Sequence, residues 1–264
     1  MYYQLLAFLK KDYLDASSYK LGFVFRFLGI FFSALSFFFI SRLIPGTAVK
    51  DYGGDYFSFV LIGIAVSNFL GLGLNEFTSV IRNMQTTGTI ETVLSCRTRL
   101  GTILFGSSIW AYLMNILNVA VYMMFGIFIF NMKINANMFA MIVILILSSV
   151  CFCAMGIMSA GMILVFKRAN PLAVIFGTLS SLLAGTLYPI TIMPEWLQKV
   201  AMIFPLTHAL RAMRLAVIQN YSVVQLSFDI FILLVFCVFL VPISMIVFRY
   251  ALKKVRVDGS LIKY

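Results

Sequence analysis

Acidic side chains are scarce in this sequence: nine Asp and Glu stand against twenty Lys and Arg over 264 residues, and none of the nine lies in the middle of a long apolar run. An intramembrane proton or sodium relay needs such groups at depth, so that chemistry has little to work with. Histidine occurs once, at His208, with no carboxylate or cysteine near it in sequence. Its plain interpretation is a hydrogen-bonded group at a helix end, not a ligand or a base. The four cysteines, Cys96, Cys151, Cys153 and Cys237, form neither a disulfide framework nor a zinc spacing, and the last three sit in apolar runs as small hydrophobes. The run Gly101 to Ser108 superficially imitates a phosphate-binding loop, yet Ser107 stands where the essential lysine belongs and no strand precedes it. These absences leave no expected catalytic residues, no metal site and no ATPase site in the chain.

Apolar residues are what the sequence has. They make up 62% of it, charged residues only 11%, and the mean hydropathy is +1.02. A soluble domain is about half apolar and a quarter charged, so the expected class is an all-α polytopic membrane protein. The net charge of +11 does not argue for nucleic acid, because excess Lys and Arg in a membrane protein mark cytoplasmic loops and contacts with anionic lipid. The first twenty residues carry Lys10, Lys11, Asp12 and Asp15 in place of an apolar core with a cleavage site. No cleavable signal is expected, and the first spanning helix directs insertion itself.

Residues 1–20 place Tyr2, Leu5, Leu6, Leu9 and Tyr13 on one helical face and Gln4, Lys11, Asp15 and Ser18 on the other. This predicts an amphipathic helix in the membrane interface, either an elbow that docks near a partner or a plain lipid anchor. Residues 21–264 then read as one six-helix domain. Spans are expected at about 21–41, 56–76, 103–130, 138–166, 172–188 and 228–248, each near the twenty apolar residues a crossing needs. The first is dense in phenylalanine, including Phe27, Phe31 and Phe38, and holds Arg26 close enough to its boundary to snorkel. Gly71 and Gly73 near the end of the second allow close helix contact or a bend, and Gly156, Ser159, Ala160 and Gly161 in the fourth form a small-residue patch suited to close packing. Pro242 is an expected kink in the sixth.

Two stretches interrupt this pattern. Residues 82–99 are polar and basic, with Gly88 and Thr89 as helix starters, Glu91 in the first turn and Ile90, Val93 and Leu94 as a small apolar face. A short helix over about 87–99 suits insertion into a cleft on a soluble motor. Farther on, about 189–217, the apolar sequence is broken by Pro189, Pro194 and Pro205, with Trp196 between the last two and Arg211 and Arg214 closing it. Neither half is long enough to span, so a re-entrant hairpin follows, either lining a pathway or serving as an interfacial anchor. A pairing of Glu195 with Arg211 or Arg214 is expected to fix it.

Six spans put both termini on one side, and assigning that side to the cytoplasm collects thirteen of the twenty Lys and Arg there. The 87–99 helix then faces the cytoplasm and the hairpin faces outward. Few internal charges and many aromatic residues suit a bulky apolar or amphipathic cargo.

Gly185, Tyr188-Pro189, Pro194-Glu195-Trp196-Leu197, Pro205-Leu206-Thr207-His208 and Arg214 together resemble the C-terminal signature of the ABC-2 family of ATP-binding-cassette exporter permeases. Gly88-Thr89-Ile90-Glu91-Thr92-Val93-Leu94 is similar to the pattern of that family's coupling helix, although Cys96-Arg97 stands where many members have a proline. The resemblance implies the transmembrane subunit of an exporter, moving a drug, lipid or lipid-linked glycan out of the cell. It implies a separate nucleotide-binding subunit that holds ATP and Mg, and a second permease subunit, most simply an identical one, in a bacterial inner membrane. The motifs look nearer the drug and lipid branch than the polysaccharide or teichoic-acid branch. An ion-coupled secondary transporter is the competing class, and a lipid-modifying enzyme a third. In the family's terms Gly88, Thr89, Ile90, Glu91, Val93 and Leu94 would couple to the ATPase. Gly185, Tyr188, Pro189, Pro194, Glu195, Trp196, Pro205 and Arg214 would shape the outer gate. Phe27, Phe31, Phe38, Phe69 and Tyr188 are assigned to the substrate path.

Overall fold

The computed structural model describes residues 2–18, 20–44, 49, 52–53, 55–89, 100–132, 135–166 and 171–257. Among them the chain is helical, with no strand. The helices are α1 (Tyr2–Ser18), α2 (Lys20–Leu43), α3 (Tyr56–Thr86), α4 (Leu100–Phe128), α5 (Met138–Phe166), α6 (Pro171–Leu183), α7 (Glu195–Ala201), α8 (Pro205–Ile218) and α9 (Ser227–Val257). Five of these, α2 to α5 and α9, are long and apolar enough to cross a membrane, and α7 with α8 adds a sixth candidate if that bent pair counts as one span. The protein is a polytopic all-α membrane protein.

α3 is the central element. Asp55 caps it, accepting from the backbone N–H of Phe57 and Ser58 at 3.3 and 3.2 Å and from the Ser58 hydroxyl, which satisfies donors that a helix start leaves open. Of its most apolar stretch 72% is buried within the chain, against 11–17% for α2, α4 and α9. Those three helices therefore turn most of their apolar surface outward, as lipid-facing helices do. α3 runs past the expected end at Glu76 to Thr86, because nothing between Phe77 and Thr86 breaks a helix and Phe77 and Ile81 are still buried. Glu76 consequently sits inside the helix and not at its exit.

α3 meets α5 where both lack side chains. A Cβ added at Gly73 would stand 2.7 Å from Phe152 Cβ, and one at Gly156 would fall on the Gly73 carbonyl. Bilayer helices gain no hydrophobic term from meeting each other, so packing of this closeness is what holds them. α9 lies along α5, where the free thiols of Cys151 and Cys237 approach to 3.0 Å. α1 lies on α4, with the Phe8 ring over Gly106 and Tyr13 edge-on to Trp110 at 5.9 Å.

The fifth expected span differs from the structure. α6 has 13 residues, about 20 Å of helix at 1.5 Å per residue, against about 30 Å of hydrocarbon. Gly185, at φ +74°, turns the chain out of the helix before it can reach Tyr188. α9 in turn is longer than expected, 31 residues through Pro242.

Candidate functional site

The site begins at that turn. A side chain at Gly185 would meet the Tyr188 carbonyl at 2.8 Å as well as needing a left-handed backbone. The turn aims the carbonyls of Thr186 and Leu187 at α3. Tyr56, in the first turn of α3, donates its hydroxyl to Leu187 O at 2.9 Å, and Ser67 Oγ lies 2.9 Å from Thr186 Oγ1. Tyr188 donates back to Leu182 O at 2.5 Å. Pro189 is buried and leads at φ −66° into the 3-10 turn Ile190–Ile192.

From there Pro194 precedes α7 and Pro205 opens α8, each at a helix start, where a missing N–H costs nothing. The two helices bend against one another by 92°. Glu195 and Trp196 point outward on α7, the indole 66% exposed. α8 is the buried half, and its apolar positions Leu206, Ala209, Leu210 and Met213 pack into the main core.

Two anchors hold α8. The first is Arg214, 2% exposed. Its Nε donates to Phe59 O at 3.2 Å on α3, and its Nη2 donates to Thr186 O at 2.8 Å in the turn. The guanidinium carbon stands 3.4 Å above the centre of the Phe59 ring, with Tyr52 farther off at 5.8 Å. One planar cation thus ties three segments together, and the aromatic face offsets part of what burial of the charge costs. Gly63 makes room for it: a Cβ there would lie 2.6 Å from Arg214 Nη2 and on the Thr186 carbonyl.

The second anchor joins α8 to α9. Asp229, in the first turn of α9, receives Arg211 Nε at Oδ2 and Arg211 Nη2 at Oδ1, both at 2.9 Å. His208 Nδ1 lies 3.0 Å from the same Oδ1, and His208 Nε2 lies 3.0 Å from Met202 O. His208 and Asp229 are each 3% exposed. An acid near a helix N-terminus is further favoured by the helix dipole. The expected pairing of Glu195 with Arg211 or Arg214 is corrected here: Arg211 takes Asp229, Arg214 takes backbone carbonyls, and Glu195 is exposed at the start of α7. His208 likewise has the carboxylate that its sequence neighbours lack.

Asp229→Asn keeps the shape and removes the charge. It is expected to destabilise the protein by about 1–3 kcal/mol, less than the 3–5 of a wholly buried pair because the Arg211 side chain is 35% exposed. A double-mutant cycle with Arg211→Met, followed by thermal unfolding in detergent, reads the coupling. Additive effects would show that the pair holds nothing.

The other candidate residues are placed as follows. Phe31 is edge-on to Phe125 at 5.7 Å, and Phe38 packs on Phe57 and Phe130 at 5.7 and 4.7 Å. Phe69 is 4% exposed in the main core, against which Phe27 is half-buried. At the opposite end of the molecule Gly88, at φ +68°, and Thr89 follow the C-terminus of α3, where the Thr87 and Thr89 hydroxyls lie 2.9 Å apart. Ile90, Glu91, Val93 and Leu94 lie outside the described residues. Thr87, Thr89 and Glu76 border a groove of about 790 Å³ between α1, α3 and α4. Among the described residues no group of three or more His, Cys, Asp or Glu could hold a metal ion.

A family model described as ABC-2 type transporter matches residues 3–218, from α1 through the last residue of α8. Comparison with curated proteins finds no match to the chain.

Proposed function

The chain belongs to the ABC-2 type transporter family, and from that premise we propose that it is the permease subunit of an ATP-driven exporter, moving an amphipathic or hydrophobic substrate such as a drug, a lipid or a lipid-linked glycan. The family match over residues 3–218 is the observation that carries this function. A separate ATPase subunit would bind ATP and Mg and hydrolyse the nucleotide, since the family is a membrane component. A second permease subunit, an identical copy in the simplest assembly, would complete the path, in a bacterial inner membrane with both termini in the cytoplasm.

The mechanism rests on α3. Its Thr86 end leads into Gly88, Thr89, Ile90, Glu91, Val93 and Leu94, the coupling segment in this proposal, and its Tyr56 end is tied by Tyr56, Phe59, Gly63 and Ser67 to the Thr186 turn and Arg214. A 31-residue helix spans about 46 Å, so force applied by the ATPase at one end arrives at the hairpin through one continuous rod. Gly185, Tyr188, Pro189, Pro194, Glu195, Trp196, Pro205 and Arg214 form or flank the outer gate. Phe27, Phe31, Phe38, Phe69 and Tyr188 are the proposed path, opened when paired subunits separate. Export of a polysaccharide or teichoic acid is the second substrate class that the family allows.

Glu91→Arg tests the coupling. The variant is expected to lose the co-purifying ATPase subunit, or to keep it while transport no longer follows ATP hydrolysis. If the wild-type chain brings down no ATPase and moves solute when pure, an ion-coupled transporter replaces the proposal.

A further inference from the structure

At the hairpin end of the molecule a groove of about 610 Å³ opens between the C-terminus of α2, the cap of α3, the α4–α5 turn and the end of α8. Its floor is aromatic. Phe38, Phe57 and Phe130 pack on one another with ring centres 4.7–5.7 Å apart. Its rim is polar, and the polar groups are unequal. Asp55, the acid among the lining residues, spends its carboxylate on the α3 cap, accepting from two backbone N–H groups and the Ser58 hydroxyl.

Three of the lining side chains keep unspent donors among the described residues. Arg42 stands over the Phe38 ring at 5.0 Å, and among the described residues its guanidinium has no ion pair or hydrogen bond. The side-chain amides of Asn131 and Asn135 have no hydrogen bond among the described residues either. Asn131 is one of two non-glycine residues with positive φ among the described residues, at +52°. A guanidinium offers five N–H donors and each amide two. A groove with an open guanidinium, two open amides, a carboxylate already spent on the helix cap and an apolar floor fits a ligand that is anionic, rich in acceptor oxygens and joined to hydrocarbon.

We infer that this groove binds the phosphate of an anionic amphiphile in the leaflet on the hairpin side, with Arg42 as the ionic contact, Asn131 and Asn135 as amide donors, and the three rings under the acyl chains. The site requires only that α2 and α3 cross the membrane, and it is independent of the ATPase pairing proposed above. Guanidinium and phosphate make the strong, geometrically matched pair that a headgroup site uses. Cavities of this size hold a headgroup with the first part of its chains.

The test is native mass spectrometry of the full chain, with any subunits that co-purify, in a neutral detergent titrated with dioleoylphosphatidylglycerol or dioleoylphosphatidylcholine. The wild type is expected to retain one more phosphatidylglycerol per chain than Arg42→Gln, with about tenfold weaker binding at that site in the variant. Arg42 also sits in the last turn of α2, where a cation has a favourable dipole interaction without any ligand. Asn131→Asp removes that ambiguity, because it lies outside any helix, tolerates the positive φ and replaces a donor with a repelling carboxylate. It should lose the same lipid. Displacement of that lipid by inorganic phosphate would show that the phosphate alone is recognised, and persistence would show that the chains on the aromatic floor are needed. Equal retention by wild type and both variants, or equal retention of phosphatidylcholine, overturns the site.

Discussion

Replacing Arg214 with methionine is expected to lower stability by about 2–5 kcal/mol, a fall of roughly 5–15 °C in the unfolding midpoint for a chain of this size. Two effects oppose each other at this residue. Methionine fills much of the same volume and spares the protein a buried cation, which by itself would stabilise. It also leaves the carbonyls of Phe59 and Thr186 without the donors that reach them at 3.2 and 2.8 Å, and takes the cation from its place 3.4 Å above the Phe59 ring. The second effect wins because only one partner is removed. Swapping a whole buried pair for apolar groups can be neutral, whereas stripping the donor from acceptors that stay buried leaves their desolvation uncompensated.

Arg214→Lys should recover only part of the loss. A lysine ammonium is a point charge on a flexible stem and cannot present two fixed N–H vectors to carbonyls on different segments. Dye-monitored unfolding in detergent measures the midpoint, and limited proteolysis around residues 184–194 reads whether the turn has come free. An unchanged midpoint with an unchanged cleavage pattern would mean that Arg214 holds nothing. In the exporter proposal the same variant should keep its ATPase subunit, because the anchor lies at the opposite end of α3 from Gly88, while transport is lost. That split separates a broken gate from a broken coupling.

The long helices were legible in the sequence because runs of apolar residues and their polar interruptions are local facts. The break in the apolar sequence over 189–217 was legible for the same reason: Pro189, Pro194 and Pro205 cannot continue a preceding helix without losing a hydrogen bond, and the structure starts a 3-10 turn or a helix after or at each. What the sequence hid depends on distance along the chain. Asp229 lies 21 residues beyond His208, Phe59 lies 155 before Arg214 and Thr186 lies 28 before it, and no spacing rule joins such positions. Glu195 looked like the acid for Arg211 or Arg214 because it is close in sequence. It is exposed on α7, and Asp229, at the start of α9, takes its place at Arg211. The one signal for Asp229 was its isolation, an acid opening an apolar helix of 31 residues. The length of α6 was misjudged at a glycine: Gly185 could have continued the helix, and only its φ of +74° shows that it ends the regular structure. Ile90, Glu91, Val93 and Leu94 lie outside the described residues, so the coupling segment rests on its sequence pattern alone.

Gly156→Leu is expected to abolish recovery of a monodisperse protein, and the reason lies in the contact between α3 and α5. A Cβ at residue 156 falls on the Gly73 carbonyl, and in turn a Cβ at residue 73 stands 2.7 Å from Phe152 Cβ and 2.8 Å from its carbonyl. The obstacles are backbone atoms, so no rotamer change relieves them, and the two helices must separate by more than a methyl's width. Close packing is the main term that holds bilayer helices together, and lipid fills a gap without penalty, so once the contact is lost little keeps α3 on α5. Gly156→Ala should already lose about 1–3 kcal/mol through overpacking. Gly71→Ala is the control: it lies on the same helix two residues from Gly73, and a Cβ there meets nothing within 4 Å. Alanine favours a helix over glycine by up to about 1 kcal/mol, so Gly71→Ala should leave the unfolding midpoint unchanged or raise it. If Gly71→Ala and Gly156→Ala fall together, glycine serves flexibility along these helices; if only Gly156→Ala falls, it serves the contact, and α3 is held to α5 as a rigid unit.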